Sequence, residues 1–356
     1  MRKVVHGGAL WQPGIATAGD YDAIIAADVN DAWYPPSPRV LEAIAEWAPR
    51  AHHSPDTSCR RLIDALAEKF QLEGDAIRIG AGSSDLLHHI ILSLLRPGDE
   101  LLTLEPTYAE YGYAARLAGA EVRTIVLDPD TQFVADPDRI LEEVSRSPRL
   151  LAICNPNNPT GSVIPRSDLL RIAAAAPNTM VLVDEAYIDF CPQDSVLGDV
   201  QDHPNLAVVR TFSKAYAMAG FRVGFAALGT ELREQFDRRG RPPWPVNLLG
   251  LRAAEATLED YDYVALRIAE CLRLKDELQE ALHVCTIQSL THYFILDLAR
   301  TRLNASHLLE QLRSERVFLR DFSGFSDKWP YRFLRVTVQS PTNTTLISLL
   351  INKLLD

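Results

Sequence analysis

The sequence predicts an α/β protein: a large domain with a mostly parallel seven-stranded sheet between helices, plus a smaller α+β domain. Between residues 77 and 227, short apolar runs alternate with amphipathic stretches, the pattern of buried strands joined by crossover helices. A proline-rich break follows, and after it a helical pattern gives way to a few strands, which marks a second unit. The 356 residues also exceed the roughly 250–300 at which a single hydrophobic core stops growing. We place the large domain at 41–245 and build the small one from 1–40 and 246–356.

In chain order, the first forty residues, rich in Gly and Pro, are expected to wrap onto the small domain. Residues 77–79 open the strand series, and Gly80-Ala81-Gly82-Ser83-Ser84-Asp85 is a small-residue turn leading into a helical pattern through residue 95. The runs 100–104, 122–127, 150–154, 180–183, 206–209 and 223–227 supply the other strands, with a second helical pattern at 108–118. After residue 209 a lysine-bearing turn precedes a helix-like stretch. Arg241-Pro242-Pro243-Trp244-Pro245 interrupts the alternation. Residues 247–283 read as one or two long helices, 293–298, 317–320 and 333–338 as strands, and the chain from about 343 as a terminal helix.

Composition narrows the function. A net charge of −11 supplies no basic face for nucleic acid or an anionic membrane, so any anionic ligand needs a local cluster of cations. Five cysteines without a CxxC pair, and an N-terminal stretch unlike a signal peptide, read as reduced thiols of a cytoplasmic protein. Adjacent His52-His53 and His88-His89 point in different directions on a helix or strand, so no metal site is expected from either pair.

Three segments carry the chemistry. Lys214, one of only six lysines, stands in Arg210-Thr211-Phe212-Ser213-Lys214-Ala215-Tyr216, with Arg222 eight residues on. A lone amine on such a turn, flanked by hydroxyls, suits an imine-forming nucleophile beside an anion site. The other five lysines lie among polar or charged neighbours. Asn155-Pro156-Asn157-Asn158-Pro159-Thr160-Gly161 makes a tight turn after one buried run, and Asp184-Glu185-Ala186-Tyr187 ends the next. An acid at the end of a buried strand is costly unless it meets a cation or donors.

In this order and at these separations, the three segments resemble the fold-type I aminotransferase superfamily (class I/II), whose members use pyridoxal 5′-phosphate (PLP). Within it, the pattern is similar to histidinol-phosphate aminotransferases and to threonine-phosphate decarboxylases of cobalamin biosynthesis. The resemblance runs from His6-Gly7-Gly8 to Arg335. It implies that Lys214 holds the cofactor as an internal aldimine and shuttles protons, that Asp184 keeps the pyridine nitrogen protonated, and that Asn158 and Tyr187 hydrogen-bond the phenolic oxygen. Tyr108 would stack on the ring. Ser83, Ser84 and Asp85 at a helix start, with Thr211, Ser213 and Arg222, would bind the phosphate. A further reading leaves the Gly-rich turn as a plain helix start capped by Ser83 or Ser84.

On the substrate side, the resemblance makes Arg335 the clamp for an α-carboxylate. Arg320, Asn30, Asp31 and His6 are the other substrate-side candidates. The chain departs from the family pattern in several places: Ser54 stands where a tyrosine reaches the neighbouring subunit's phosphate, Asp31 replaces a proline, Trp33 and Tyr34 replace small residues, and His292-Tyr293 replaces an Ala-Asn pair. The implied enzyme is a homodimer that acts on a small amino acid or amino-acid phosphate through an external aldimine and a quinonoid, by transamination. Decarboxylation, and elimination or cyclisation of a substituted amino acid, remain open on the same scaffold, as does a non-catalytic cofactor-binding module.

Overall fold

The structure, a computed structural model, describes Gly8 and residues 17–356. Twelve strands are seen among them: β1 (Ile25–Ala27), β2 (Ile77–Gly80), β3 (Glu100–Glu105), β4 (Glu121–Val126), β5 (Leu150–Cys154), β6 (Met180–Asp184), β7 (Leu206–Thr211), β8 (Gly224–Leu228), β9 (Cys285–Ile287), β10 (Tyr293–Asp297), β11 (Val317–Asp321) and β12 (Phe333–Thr337). The seven apolar runs at 77–227 all become strands of one sheet, in the order β2-β8-β7-β6-β5-β3-β4. Every residue of β5 to β8 is buried, as expected for strands covered on both faces.

The topology decides where chemistry can sit. Strands β3 to β7 run parallel, so the loops after Glu105, Cys154, Asp184 and Thr211 emerge at one edge. Only β8 is reversed, pairing Thr211 with Gly224 on one side and Gly80 with Gly224 on the other. That register brings the start of β8, with Arg222 just before it, to the same edge as the end of β2 and the helix Ser83–Leu94. Segments scattered over about 140 positions of sequence thus converge where an open α/β sheet binds ligands.

The second sheet has the order β1-β11-β12-β10-β9. Parallel pairing of Ile25–Ala27 with Val317–Leu319 ties the N-terminal segment to the C-terminal part. The stretch 247–283 forms two helices, Leu248–Leu258 and Tyr261–Ala281, the first capped by Asn247 Oδ1, which accepts from Gly250 N–H at 2.7 Å. Among the described residues no helix is long and apolar enough to cross a membrane.

Two expectations fail. The stretch after Lys214 is not helical: Ala217 has φ +56°, a left-handed value that breaks a helix, and only a 3₁₀ turn at Ala219–Phe221 follows. Lys275, grouped with lysines in polar surroundings, is buried, and its ammonium donates to the Ser289 carbonyl at 3.0 Å. That backbone acceptor, invisible in sequence, and the adjacent Asp276 carboxylate at 2.5 Å satisfy it.

A buried ion pair supports the edge. Arg210 Nε donates to Glu185 Oε2 at 2.8 Å and Nη2 to Ser195 Oγ at 2.6 Å, while Val196 N–H meets Glu185 Oε1 at 2.7 Å. Burial pushes the Glu185 carboxyl up and the Arg210 charge opposes it. Arg210→Met leaves that acid buried without its cation and is expected to cost about 3–5 kcal/mol of stability. Urea unfolding followed by circular dichroism checks this, and a loss below about 1 kcal/mol would rank the pair with surface salt bridges.

Candidate active site

At the convergence point lies a cavity of about 680 Å³, within the roughly 300–1,000 Å³ of small-molecule sites. Lys214 reaches it from the turn after β7. Its Nζ lies 3.0 Å from Asp31 Oδ1, with the two side chains 20% and 38% exposed. Asp184 reaches it from the end of β6 and is 3% exposed. Its Oδ2 accepts from Tyr111 O–H at 2.6 Å and its Oδ1 from Ala186 N–H at 3.1 Å. Burial pushes the Asp184 carboxyl up to about 6, against the two donors and the Lys214 charge, which favour the anion.

Tyr108 and Tyr187 line the wall. Burial pushes both phenols up, so each keeps its proton. The Tyr187 hydroxyl receives Asn30 Nδ2 at 3.0 Å and Asn158 Nδ2 at 3.4 Å. Tyr108 O–H and Ser84 Oγ are 3.2 Å apart. Neither Ser83 nor Ser84 caps the helix Ser83–Leu94: its cap is Gly82, without a side-chain bond. The alternative of a serine-capped helix start therefore does not hold.

Two glycines shape the end of the cavity near Arg222. A Cβ at Gly82, where φ is +85°, would come within 2.6 Å of Arg222 Nη2, and one at Gly224 within 2.7 Å of Ser83 N. Arg222 itself takes the left-handed φ of +57° and is held by the Ala219 carbonyl at 3.0 Å. A guanidinium carried on a left-handed backbone stands beside a helix start without a side-chain cap, with Thr211 and Ser213 on the same wall, an arrangement that suits an anion.

Arg335, in β12, is 4% exposed rather than solvent-facing. Its Nη1 donates to Asn158 Oδ1 at 2.6 Å and its Nη2 to the Asp28 carbonyl at 2.8 Å. Among the described residues no hydrogen-bond partner meets its Nε. Burial lowers it to about 10, and Arg320, directly opposite in the β11–β12 register, adds to the lowering. Two guanidiniums facing each other across strands repel unless an anion joins them.

The cavity therefore brings together an amine, a buried acid, an aromatic ring, a phenol–amide pair, a guanidinium beside a helix start and a buried guanidinium with an open donor. The chemistry of this donor set fits the aldehyde, ring nitrogen, phenolic oxygen and phosphate of PLP. Of the residues singled out in sequence, Asn30, Asp31, Ser83, Ser84, Tyr108, Asn158, Asp184, Tyr187, Thr211, Ser213, Lys214, Arg222, Arg320 and Arg335 line it. Asp85 does not: its carboxylate accepts from Ala81 N–H at 3.0 Å and pairs with Arg241, beneath the turn. His6 lies outside the described residues.

Sequence reasoning missed Tyr111, in the first turn of the helix Glu110–Leu117 and bonded to Asp184. It also gave no role to His292. That ring is buried, stacks on Phe190 at 4.5 Å and lies with Nε2 3.2 Å from the Asn30 carbonyl. Burial lowers it to about 3, so it stays neutral.

The family model for aminotransferase class I and II matches residues 24–354. Histidinol-phosphate aminotransferase of Halorubrum lacusprofundi is 32% identical over 307 residues, covering 86% of this chain and 83% of that protein. The enzyme of the same name from Symbiobacterium thermophilum is 34% identical over 312 residues, with 86% and 83% covered. Among solved structures, histidinol-phosphate aminotransferase from Sinorhizobium meliloti in complex with pyridoxal-5′-phosphate matches with a TM-score of 0.84 and 25% identity, over 92% of this chain and 89% of that one. L-threonine-O-3-phosphate decarboxylase from Porphyromonas gingivalis shares the fold, at a TM-score of 0.80 and 24% identity over 92% and 98%.

Proposed function

This chain belongs to the aminotransferase class I and II family, a PLP-dependent transferase family, and on that premise we propose that it transaminates a small amino acid or amino-acid phosphate in the cavity around Lys214. The observation that carries this is the meeting of Lys214, Asp184, Asn158, Tyr187 and Arg222 on one cavity wall system with the unfilled donor of Arg335.

When bound, PLP supplies an electrophilic carbon for amines and, with its ring nitrogen positive, a sink for the electron pair left at the substrate's Cα. Lys214 would hold it covalently, and its Nζ is the group that would carry the proton to and from Cα. Asp184 keeps the proton on the ring nitrogen, and Tyr111 orients Asp184. Tyr108 covers one face of the ring. Asn158 and Tyr187 donate to the phenolic oxygen. The helix start at Ser83, with Thr211, Ser213 and Arg222, takes the phosphate. Arg335 binds the α-carboxylate through its open Nε and fixes Cα within reach of Lys214. Arg320 sets the local field beside it.

Mass spectrometry of products from an amino-acid panel tests the reaction. Transamination consumes the donor only when a keto acid is present and passes its nitrogen to that acceptor. Loss of CO₂, or release of ammonia without an acceptor, would instead identify a decarboxylase or an eliminating enzyme.

A further inference from the structure

We propose that Asp31 receives a cationic distal group of the substrate, an ammonium or guanidinium, so that the amino acid handled here is basic. This rests on the PLP reading above and deepens it.

The loop that carries Asp31 is held on both sides. Asn30 is gripped three ways: its Nδ2 donates to Tyr187 O–H, its Oδ1 accepts from Thr337 Oγ1 at 2.7 Å, and its carbonyl meets His292 Nε2. Tyr34 O–H donates to the Ala215 carbonyl at 2.8 Å, immediately after the lysine, and Tyr263 O–H donates to the Pro35 carbonyl at 2.9 Å. Asp31 and Tyr34, which depart from the family pattern, therefore flank the Lys214 turn, and His292, a third departure far away in sequence, fastens the Asn30 backbone beside them. Asp31 is a partly exposed carboxylate placed by a fixed backbone.

Charge pairing then singles it out. The cavity carries Asp28, Asp31 and Asp184 against Lys214, Arg222, Arg320 and Arg335. A bound PLP engages Arg222 through its phosphate and Asp184 through its ring nitrogen, and the substrate carboxylate engages the open donor of Arg335. Asp28 acts on both Arg320 and Arg335. Asp31 and Lys214 remain, and they are paired at 3.0 Å. A lysine nitrogen bonded to the cofactor is no longer an ammonium with three donors, so Asp31 is the charge whose partner is withdrawn. An acid on a partly dry wall then favours a cation and repels an anion.

The holoenzyme is titrated by calorimetry with three carboxylates that lack an α-amino group and so cannot react: δ-guanidinovalerate, hexanoate and adipate. The wild type should bind δ-guanidinovalerate about tenfold more tightly than hexanoate and adipate most weakly, which is the size of one partly screened ion pair. Asp31→Asn should bring the cationic and neutral probes within about threefold of each other. Asp31→Glu, which keeps the charge, should retain the preference. A wild type that ranks hexanoate or adipate first overturns the proposal without any variant, and so does an unchanged preference in Asp31→Asn. Failure of the PLP reading shows separately, as wild-type protein that borohydride does not label at Lys214.

Discussion

Lys214→Ala is expected to remove all borohydride-stable labelling of the chain by PLP and to lower kcat/KM by at least about four orders of magnitude, since the residue is both the covalent anchor and the proton carrier. The cup formed by Ser83, Thr211, Ser213 and Arg222 and the acid Asp184 do not depend on the amine, so the variant should still bind the cofactor, reversibly. Loss of labelling with retained binding distinguishes this from general damage. Lys275, the buried lysine among the described residues, cannot take over: its Nζ is committed to Ser289 O at 3.0 Å and to Asp276 at 2.5 Å. Tryptic mapping after reduction reads the outcome directly. A pyridoxyl adduct on any peptide other than the one bearing Lys214, or an adduct that survives in Lys214→Ala, refutes the assignment.

Much of this site is legible in sequence for a definite reason. Buried parallel strands are uninterrupted apolar runs, so 150–154, 180–183 and 206–209 stand out, and a polar residue at such a run's end is conspicuous because burial penalises it. Asp184 and the turn at Asn155 are visible on that ground. Partners set by tertiary meeting are not. Tyr111 is one apolar-looking position on an amphipathic helix until Asp184 is found beside its hydroxyl. Asp31 and Lys214 stand 183 positions apart, and nothing local in either segment announces the ion pair. Asp85 errs in the opposite direction: an acid at a helix start looks like part of the anion cup, but it serves the turn's own Ala81 N–H and Arg241. The lysine turn misleads too, because Ala215 to Ala219 has helix-forming composition while the left-handed φ at Ala217 folds it back.

Asp184→Asn should reduce turnover by about 10³, the scale on which a single well-placed electrostatic partner acts in a water-poor site. The amide keeps the shape, but its single oxygen can accept from only one of Tyr111 and Ala186, and it cannot hold a proton on a pyridine nitrogen against deprotonation. Without that charge the ring loses its capacity to take up the electron pair from Cα. A pH signature accompanies the loss. In the cofactor-free protein burial raises the Asp184 carboxyl from its ordinary 3.8 to about 6, so the folded chain holds this proton more tightly than the unfolded one. The stability it contributes is complete below 3.8 and is lost as pH rises through about 6, on the order of 3 kcal/mol. A cationic ring nitrogen reverses the preference by favouring the carboxylate. Thermal melts of the stripped wild type should therefore fall relative to Asp184→Asn between about pH 4 and pH 7, while the stabilisation gained by adding PLP grows across the same interval in the wild type and not in the variant. Parallel curves for the two proteins, with and without cofactor, would place the proton-holding acid elsewhere in the cavity.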